Sequence, residues 1–231
     1  ATGAVDTVAQ ANVNARRGSL DVGPNGNVAY DHVFGSSGGG GTTAGYMWTP
    51  SFSDLFYNAF TYGTLHLKTD GNNVIFTTMD TQGAIHLRLA NPGSSYILSS
   101  APGGSFAGPQ PEGRVAGGWV AYLYRETNMG QWVAEVRLRS PTFSGAPPLY
   151  SERVSPAGGL AGLDALSPDG TVAWRIGQVV SGSAAYTRRY ISPRNAPAVD
   201  AGPVESNERV IWRSGTFYLL KADGSVYAFS W

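Results

Sequence analysis

Three aspartates sit in short apolar segments: Leu20-Asp21-Val22, Leu163-Asp164-Ala165 and Val199-Asp200-Ala201. A carboxylic acid and a second carboxylate within roughly 10 Å of each other can cleave a glycosidic bond. Asp21, Asp164 and Asp200 are therefore the candidate catalytic groups, on condition that the fold brings them together. A second set is polar and aromatic: Asp31, His32, Tyr46, Trp48, Asp80, Arg125, Glu126, Asn128, Gln131 and Trp132. Side-chain amides, short acids and Arg hydrogen-bond hydroxyls, and an aromatic face packs under a sugar ring. These are the candidate ligand-binding residues, and they suit a glycan better than an anionic ligand. The competing reading takes them as ordinary solvated loop positions.

Other chemistries find little footing. His32, His66 and His86 stand alone, without the spacing of metal ligands. Asp70, Asp169 and Asp223 each precede Gly and read as turn-formers, and no calcium loop is present. The chain has no Cys, which excludes disulfides and thiolate metal sites. The Gly run at 38–41 is low-complexity sequence, not a phosphate loop between strand and helix. No nucleophile elbow occurs in a strand-to-helix setting. No metal and no cofactor is expected.

Sixteen acidic residues balance sixteen basic ones, so the chain lacks the basic face of a nucleic-acid binder. No run of 18 apolar residues exists, and no membrane insertion is expected. The bases are nearly all Arg, with Lys68 and Lys221 the two Lys, a hint of a GC-rich genome or an outer-surface protein. The first residue is Ala1 rather than Met, which reads as a processed or trimmed product. Apolar residues make up 42%, enough for a sizeable core, while charged residues are only 14%. Ordinary soluble proteins carry about 25% charged residues. With 31 Gly, 14 Pro and 12% aromatics, the chain reads as aromatic-rich strands joined by many turns.

The elements that must position these residues repeat. A Val, a small or aliphatic residue and an aromatic recur as Val28-Ala29-Tyr30, Val74-Ile75-Phe76, Val120-Ala121-Tyr122, Val172-Ala173-Trp174 and Val210-Ile211-Trp212. The aromatic positions lie 46, 46, 52 and 38 residues apart. Four triplets follow a turn ending in Gly, at Pro24-Asn25-Gly26, Thr69-Asp70-Gly71, Pro111-Glu112-Gly113 and Pro168-Asp169-Gly170. The third copy has five extra residues after Gly113, and the fifth has Ser206-Asn207-Glu208 in place of Gly. After each triplet the chain loops and returns as a strand, four times ending at Pro50, Pro92, Pro141 or Pro193.

Each unit therefore reads as four antiparallel strands. Five such units over residues 18–231 predict an all-β, five-bladed β-propeller of four-stranded blades. Residues 1–17 are an N-terminal segment or a closing strand. The alternative is a β-sandwich, which also has short strands and frequent turns but no four-strand period. In this frame the three aspartates fall on innermost strands. The loops after the second strands form one rim: residues 31–44, a loop with Asp80 to Gln82, one with Arg125 to Gln131, and one with Ser181 and Ser183. The repeated aromatics are expected to pack between blades.

Two nine-residue stretches carry a family resemblance. Leu166-Ser167-Pro168-Asp169-Gly170-Thr171-Val172-Ala173-Trp174 resembles the S-P-D-G-x-x-[IV]-[AV]-aromatic repeat of TolB-type propellers. Lys221-Ala222-Asp223-Gly224-Ser225-Val226-Tyr227-Ala228-Phe229 resembles the A-x-D-G-x-[VL]-Y-A-F repeat of quinoprotein-like propellers. The Asp-box of sialidase-type propellers is not matched. These motifs mark a blade and its turn, so the resemblance implies a fold and no activity. The expectation is a non-enzymatic binding module, secreted or on an outer surface, holding a glycan or a protein through its rim. A structural protein of a virion or surface layer, and a glycosidase-like enzyme using the three aspartates, are the alternatives.

Overall fold

A computed structural model describes residues 15–34, 41–49, 53–61, 64–80, 82–91, 94–101, 111–128, 131–139, 151–155, 160–181 and 183–229. These residues form five antiparallel sheets. Sheet I holds β1 (Ala15–Val22), β2 (Val28–Phe34), β3 (Gly41–Trp48) and β4 (Ser53–Thr61). Sheet II holds β5 (Thr64–Thr69), β6 (Val74–Met79), β7 (Ile85–Asn91) and β8 (Ser94–Ala101). Sheet III holds β9 (Gly113–Ala116), β10 (Trp119–Asn128), β11 (Gln131–Arg139) and β12 (Ser151–Arg153). Sheet IV holds β13 (Leu160–Leu166), β14 (Val172–Val180), β15 (Ser183–Ser192) and β16 (Val199–Pro203). Sheet V holds β17 (Arg209–Arg213), β18 (Thr216–Leu220) and β19 (Val226–Phe229). Within each sheet the strands follow chain order, and the first strands of successive sheets adjoin one another.

The repeated triplets explain why these sheets stack. Successive strand residues point to opposite faces. In the second to fifth triplets the Val and the aromatic face the preceding sheet, and in the first four the middle residue faces the following one. Val74 and Phe76 of sheet II thus pack with Ala29 and Met47 of sheet I. Val120 and Tyr122 of sheet III pack with Ile75, Leu87 and Leu89 of sheet II. Val172 and Trp174 of sheet IV pack with Ala121, Leu123, Val136 and Leu138 of sheet III. Phe217 of sheet V, flanked by Val210 and Trp212, packs with Ala165, Ala173 and Ile191 of sheet IV. Ala29, Ile75, Ala121 and Ala173 are fully buried, but Ile211, with no following sheet against it, is 42% exposed.

The hairpin turns carry backbone conformations that require Gly. Gly26, Gly71, Gly170 and Gly224 have φ between 83° and 91°, as the turn signals predict. The third unit differs. Gly113 begins β9, and the turn lies beyond that strand at Gly117 and Gly118, with φ 56° and 85°. In the fifth unit Asn207 adopts φ 65° where Gly is absent, a conformation Asn tolerates.

Three expected boundaries move. Sheet I starts at Ala15 rather than residue 18, because Ala15 to Arg17 pair with His32 to Phe34. The 31–44 loop shrinks, because β2 runs to Phe34 and β3 starts at Gly41. Arg125 to Asn128 and Gln131 to Arg139 extend one long hairpin rather than a loop. The larger correction concerns Val199-Asp200-Ala201, expected as the innermost strand of a fifth unit. It is the outer strand of sheet IV, because a tight turn closed by Ala196 N–H to Pro193 C=O folds it back onto β15. Sheet V consequently has three strands among the described residues.

Candidate functional site

The three candidate catalytic aspartates do not form one site. Asp21 on β1 accepts the Thr69 backbone N–H at 2.8 Å and faces Lys68 Nζ at 3.3 Å, both on the first strand of sheet II. Asp164 sits at a bulge in β13, where Leu163 pairs with Trp174 and Ala165 with Ala173. The bulge aims its carboxylate at Arg189 Nε, 2.9 Å away, with Arg175 at 3.5 Å. Asp200 accepts from Arg188 Nε at 2.6 Å on the solvent side. Arg188 and Arg189 are consecutive in β15 and point to opposite faces, so Asp164 and Asp200 lie on opposite faces of sheet IV. Each carboxylate is occupied by its own base. The hydrogen bond from Arg188 holds the Asp200 carboxyl below its ordinary range, with Gly202 N–H adding to it.

The acids instead tie neighbouring sheets together. Asp21 joins sheets I and II. Asp70 caps its own turn through Asn72 and Asn73 N–H, and its second oxygen accepts Gly118 N–H of sheet III at 2.7 Å. Glu112 accepts Leu163 N–H of sheet IV at 3.1 Å. Glu208 accepts from Arg189 Nη1 at 2.7 Å and joins sheets IV and V, with both side chains 1% exposed. Every seam between described sheets thus carries one carboxylate tie beside its apolar contacts. Ionised acceptors make strong hydrogen bonds to N–H donors.

The candidate binding residues scatter. Asp31 is buried in β2 and accepts the Ser19 N–H. Tyr46 stacks on Tyr30 across the sheet at 5.4 Å and 22°, with His32 edge-on to it at 6.1 Å. This row is the counterpart of Trp174 stacked on Tyr190 at 4.7 Å in sheet IV, a packing pair of the seam with sheet III. The side chains of Trp48, Arg125, Glu126, Asn128, Gln131 and Trp132 lie outside the described residues. An open depression of about 270 Å³ lies beside the Asp169 turn, lined by Thr171 and Pro193 to Ala196. Asp169 is already used there, accepting Thr171 N–H at 3.0 Å.

Among the candidates whose side chains are described, Asp80 is the one that meets both an imidazole and a hydroxyl. It follows β6, and its Oδ1 accepts Gln82 and Ala84 N–H, both at 2.9 Å. Its Oδ2 is 3.2 Å from His86 Nε2 on β7. His86 Nδ1 is in turn 2.8 Å from Ser100 Oγ on β8. The hydrogen bond from His86 holds the Asp80 carboxyl below its ordinary range; burial opposes this, and the two backbone N–H groups reinforce it. Ser100 and the link to His86 escape sequence reading, because the three residues meet only through strand register. His86 pairs directly with Ser100 across β7 and β8. Among the described residues no three His, Cys, Asp or Glu gather as a metal site, and no helix is long and apolar enough to cross a membrane.

No protein-family model matches the chain, and no curated protein matches it. Among solved structures it is similar to the beta-propeller domain of the Trilobed protease from Pyrococcus furiosus. The two share 12% identity over 94% of this chain and 67% of that one, with a TM-score of 0.51. At this identity the likeness speaks for the fold alone. Joined to five successive antiparallel sheets, it gives the chain a propeller-like all-β fold.

Proposed function

We propose that the chain is a five-bladed propeller that serves as a surface binding module for a glycan or a protein partner. Five repeats of one packing rule support the blade count. The outward side of sheet V, with Ile211 42% and Val226 60% exposed, has the character of a following face. The outward side of sheet I, with Leu20 62% and Val22 57% exposed, has that of a preceding face. Joining them repeats the other four seams once more and closes the ring.

The observation that carries the binding reading is the use made of the aspartates. Asp21, Asp164 and Asp200 are held in separate ion pairs, that of Asp164 inside the scaffold, so the carboxylate pair of a glycosidase is not assembled. Binding would then fall to the rim between second and third strands, where Asp80 and the Arg125 to Trp132 hairpin lie. A broad glycan array and a soaked crystal test this. Binding lost on Arg125→Ala or Trp132→Ala, with an unchanged melting curve, is the expected result. Silence across the array together with no pocket occupied in the crystal overturns the glycan version. An assembly role draws on the exposed end faces instead, and a stable isolated monomer by native mass would count against it.

A further inference from the structure

The face of sheet II that packs on sheet I changes character along its strands. Val74, Phe76 and Ala90 fill the buried seam. Further from the hairpin turn, Thr78, His86 and Ser100 occupy paired positions on β6, β7 and β8. Thr78 is buried, the His86 side chain is 19% exposed, and Ser100 lies open to solvent. The row therefore emerges from an apolar seam into solvent, and its outermost group is a hydroxyl.

The turn after β6 fixes the acid end of this row. Asp80 N–H donates to Ala84 C=O at 2.9 Å, and Gly83 N–H donates to Asp80 C=O at 3.0 Å. Gly83 has φ 82°, which lets the turn close this tightly. With Oδ1 holding two N–H groups, the Asp80 rotor is set and Oδ2 remains for His86. An ionised carboxylate only accepts hydrogen bonds. The proton of neutral His86 therefore sits on Nε2, and the Nδ1 lone pair faces the Ser100 hydroxyl. This is the order of an acid, a base and a nucleophile, each within hydrogen-bond reach of the next.

We propose that Asp80, His86 and Ser100 form a relay that makes the Ser100 hydroxyl a nucleophile towards small acyl esters. The inference goes beyond the binding reading and does not rest on it. Ser100 Oγ attacks the acyl carbonyl carbon while its proton passes to His86 Nδ1. The bond to the alcohol oxygen breaks, and the alcohol leaves with that proton, giving an acyl-Ser100. Water then attacks the acyl carbon, passing a proton to Nδ1. Ser100 leaves and regains that proton, and a carboxylic acid is released. Asp80 holds the imidazole in its tautomer and stabilises the imidazolium formed in each half. Arg88, two positions from His86, donates to Thr78 Oγ1 at 3.3 Å and puts a cation on the same face. The open position of Ser100 favours small acyl groups with good leaving groups.

The test uses the intact chain, a fluorophosphonate probe and p-nitrophenyl acetate. The expected result is covalent label mapped to Ser100 and a burst of p-nitrophenol. Ser100→Ala removes both, and His86→Ala lowers the labelling rate by about a hundredfold or more. Asp80→Asn slows labelling by at least about tenfold. Asp80 acts through His86, so Asp80→Glu should recover part of that rate, which a merely structural role would not. Ser100→Ala, at an exposed position, is expected to leave the melting curve unchanged. Absence of label at Ser100 in the folded protein overturns the proposal, as does labelling that His86→Ala leaves unchanged. Neither outcome bears on glycan binding, which the array reads separately.

Discussion

Trp174 is 2% exposed, stacks on Tyr190, and donates its indole N–H to Ser192 Oγ at 2.7 Å. It contributes both packing area and a satisfied buried donor. Trp174→Ala should cost about 3–5 kcal/mol, as large-to-small core substitutions do. Trp174→Phe should cost less, because the stack survives and chiefly the hydrogen bond is lost, roughly 1–3 kcal/mol for leaving Ser192 short of a partner. Urea unfolding of both variants measures the difference. Equal costs would show that the stack carries nothing, and a Trp174→Phe cost near zero that the hydrogen bond carries nothing.

At this scale the sequence was readable where types repeat. The triplets mark buried second strands in sheets I to IV, and the Asp-Gly pairs mark turns. Asp80, His86 and Ser100 were not readable as a unit. They are 6 and 14 residues apart in no recognised pattern, and only register sets one opposite another. The surroundings of Asp164 were not readable for a related reason. A bulge turns its side chain, and nothing in Leu163-Asp164-Ala165 announces one.

The seam between sheets IV and V joins two elements through charge. Arg189 lies between Asp164 and Glu208, and Lys221 sits 3.6 Å from Glu208 and 2.6 Å from Glu205. Burial pushes the Glu208 carboxyl up, but the hydrogen bond from Arg189, the Glu205 backbone and the nearby cations hold it below its ordinary range. The unfolded chain therefore takes up this proton at a higher pH than the native protein does. The contribution of Glu208 is complete above the ordinary Glu pKa of about 4.3. It is lost as pH falls through the lowered native value. Glu208→Gln should flatten the loss of stability below about pH 5 and lower stability at neutral pH. That neutral cost should stay below the roughly 3–5 kcal/mol of a fully orphaned buried charge, since Asp164 still pairs Arg189. Thermal melts from pH 7 to 3 on both proteins check this, and parallel acid limbs would show that Glu208 is not responsible. Strand order decided the one element misplaced from sequence. Val199 to Ala201 alternates like any inner strand, and only the short turn at Pro193 to Ala196 sends it back to β15.

On the scale of the whole molecule, ring closure makes a direct prediction. The chain has no Cys, so a single introduced thiol reports on one position. Leu20→Cys and Ile211→Cys should react with a maleimide at least about tenfold more slowly than Val180→Cys if the end faces seal. Val180, at 49% exposure on sheet IV, is the accessible control. Equal rates at all three positions would mean an open arc. Such a difference follows from protection by local stability, where slow opening governs access to a buried group.

The directional packing of the triplets also orders events in time. Each described seam joins sheets adjacent in the chain, so its partners are separated by about one repeat. A chain made from its N-terminus can bury each sheet as the next emerges, without waiting for the whole. Contacts close in sequence form fast, and those spanning the full chain form last. Sheet I is the exception to this early shelter. In the proposed closed ring, Leu20 and Val22 stay bare through synthesis until Ile211 and Val226, nearly a whole ring later in the chain, exist to meet them.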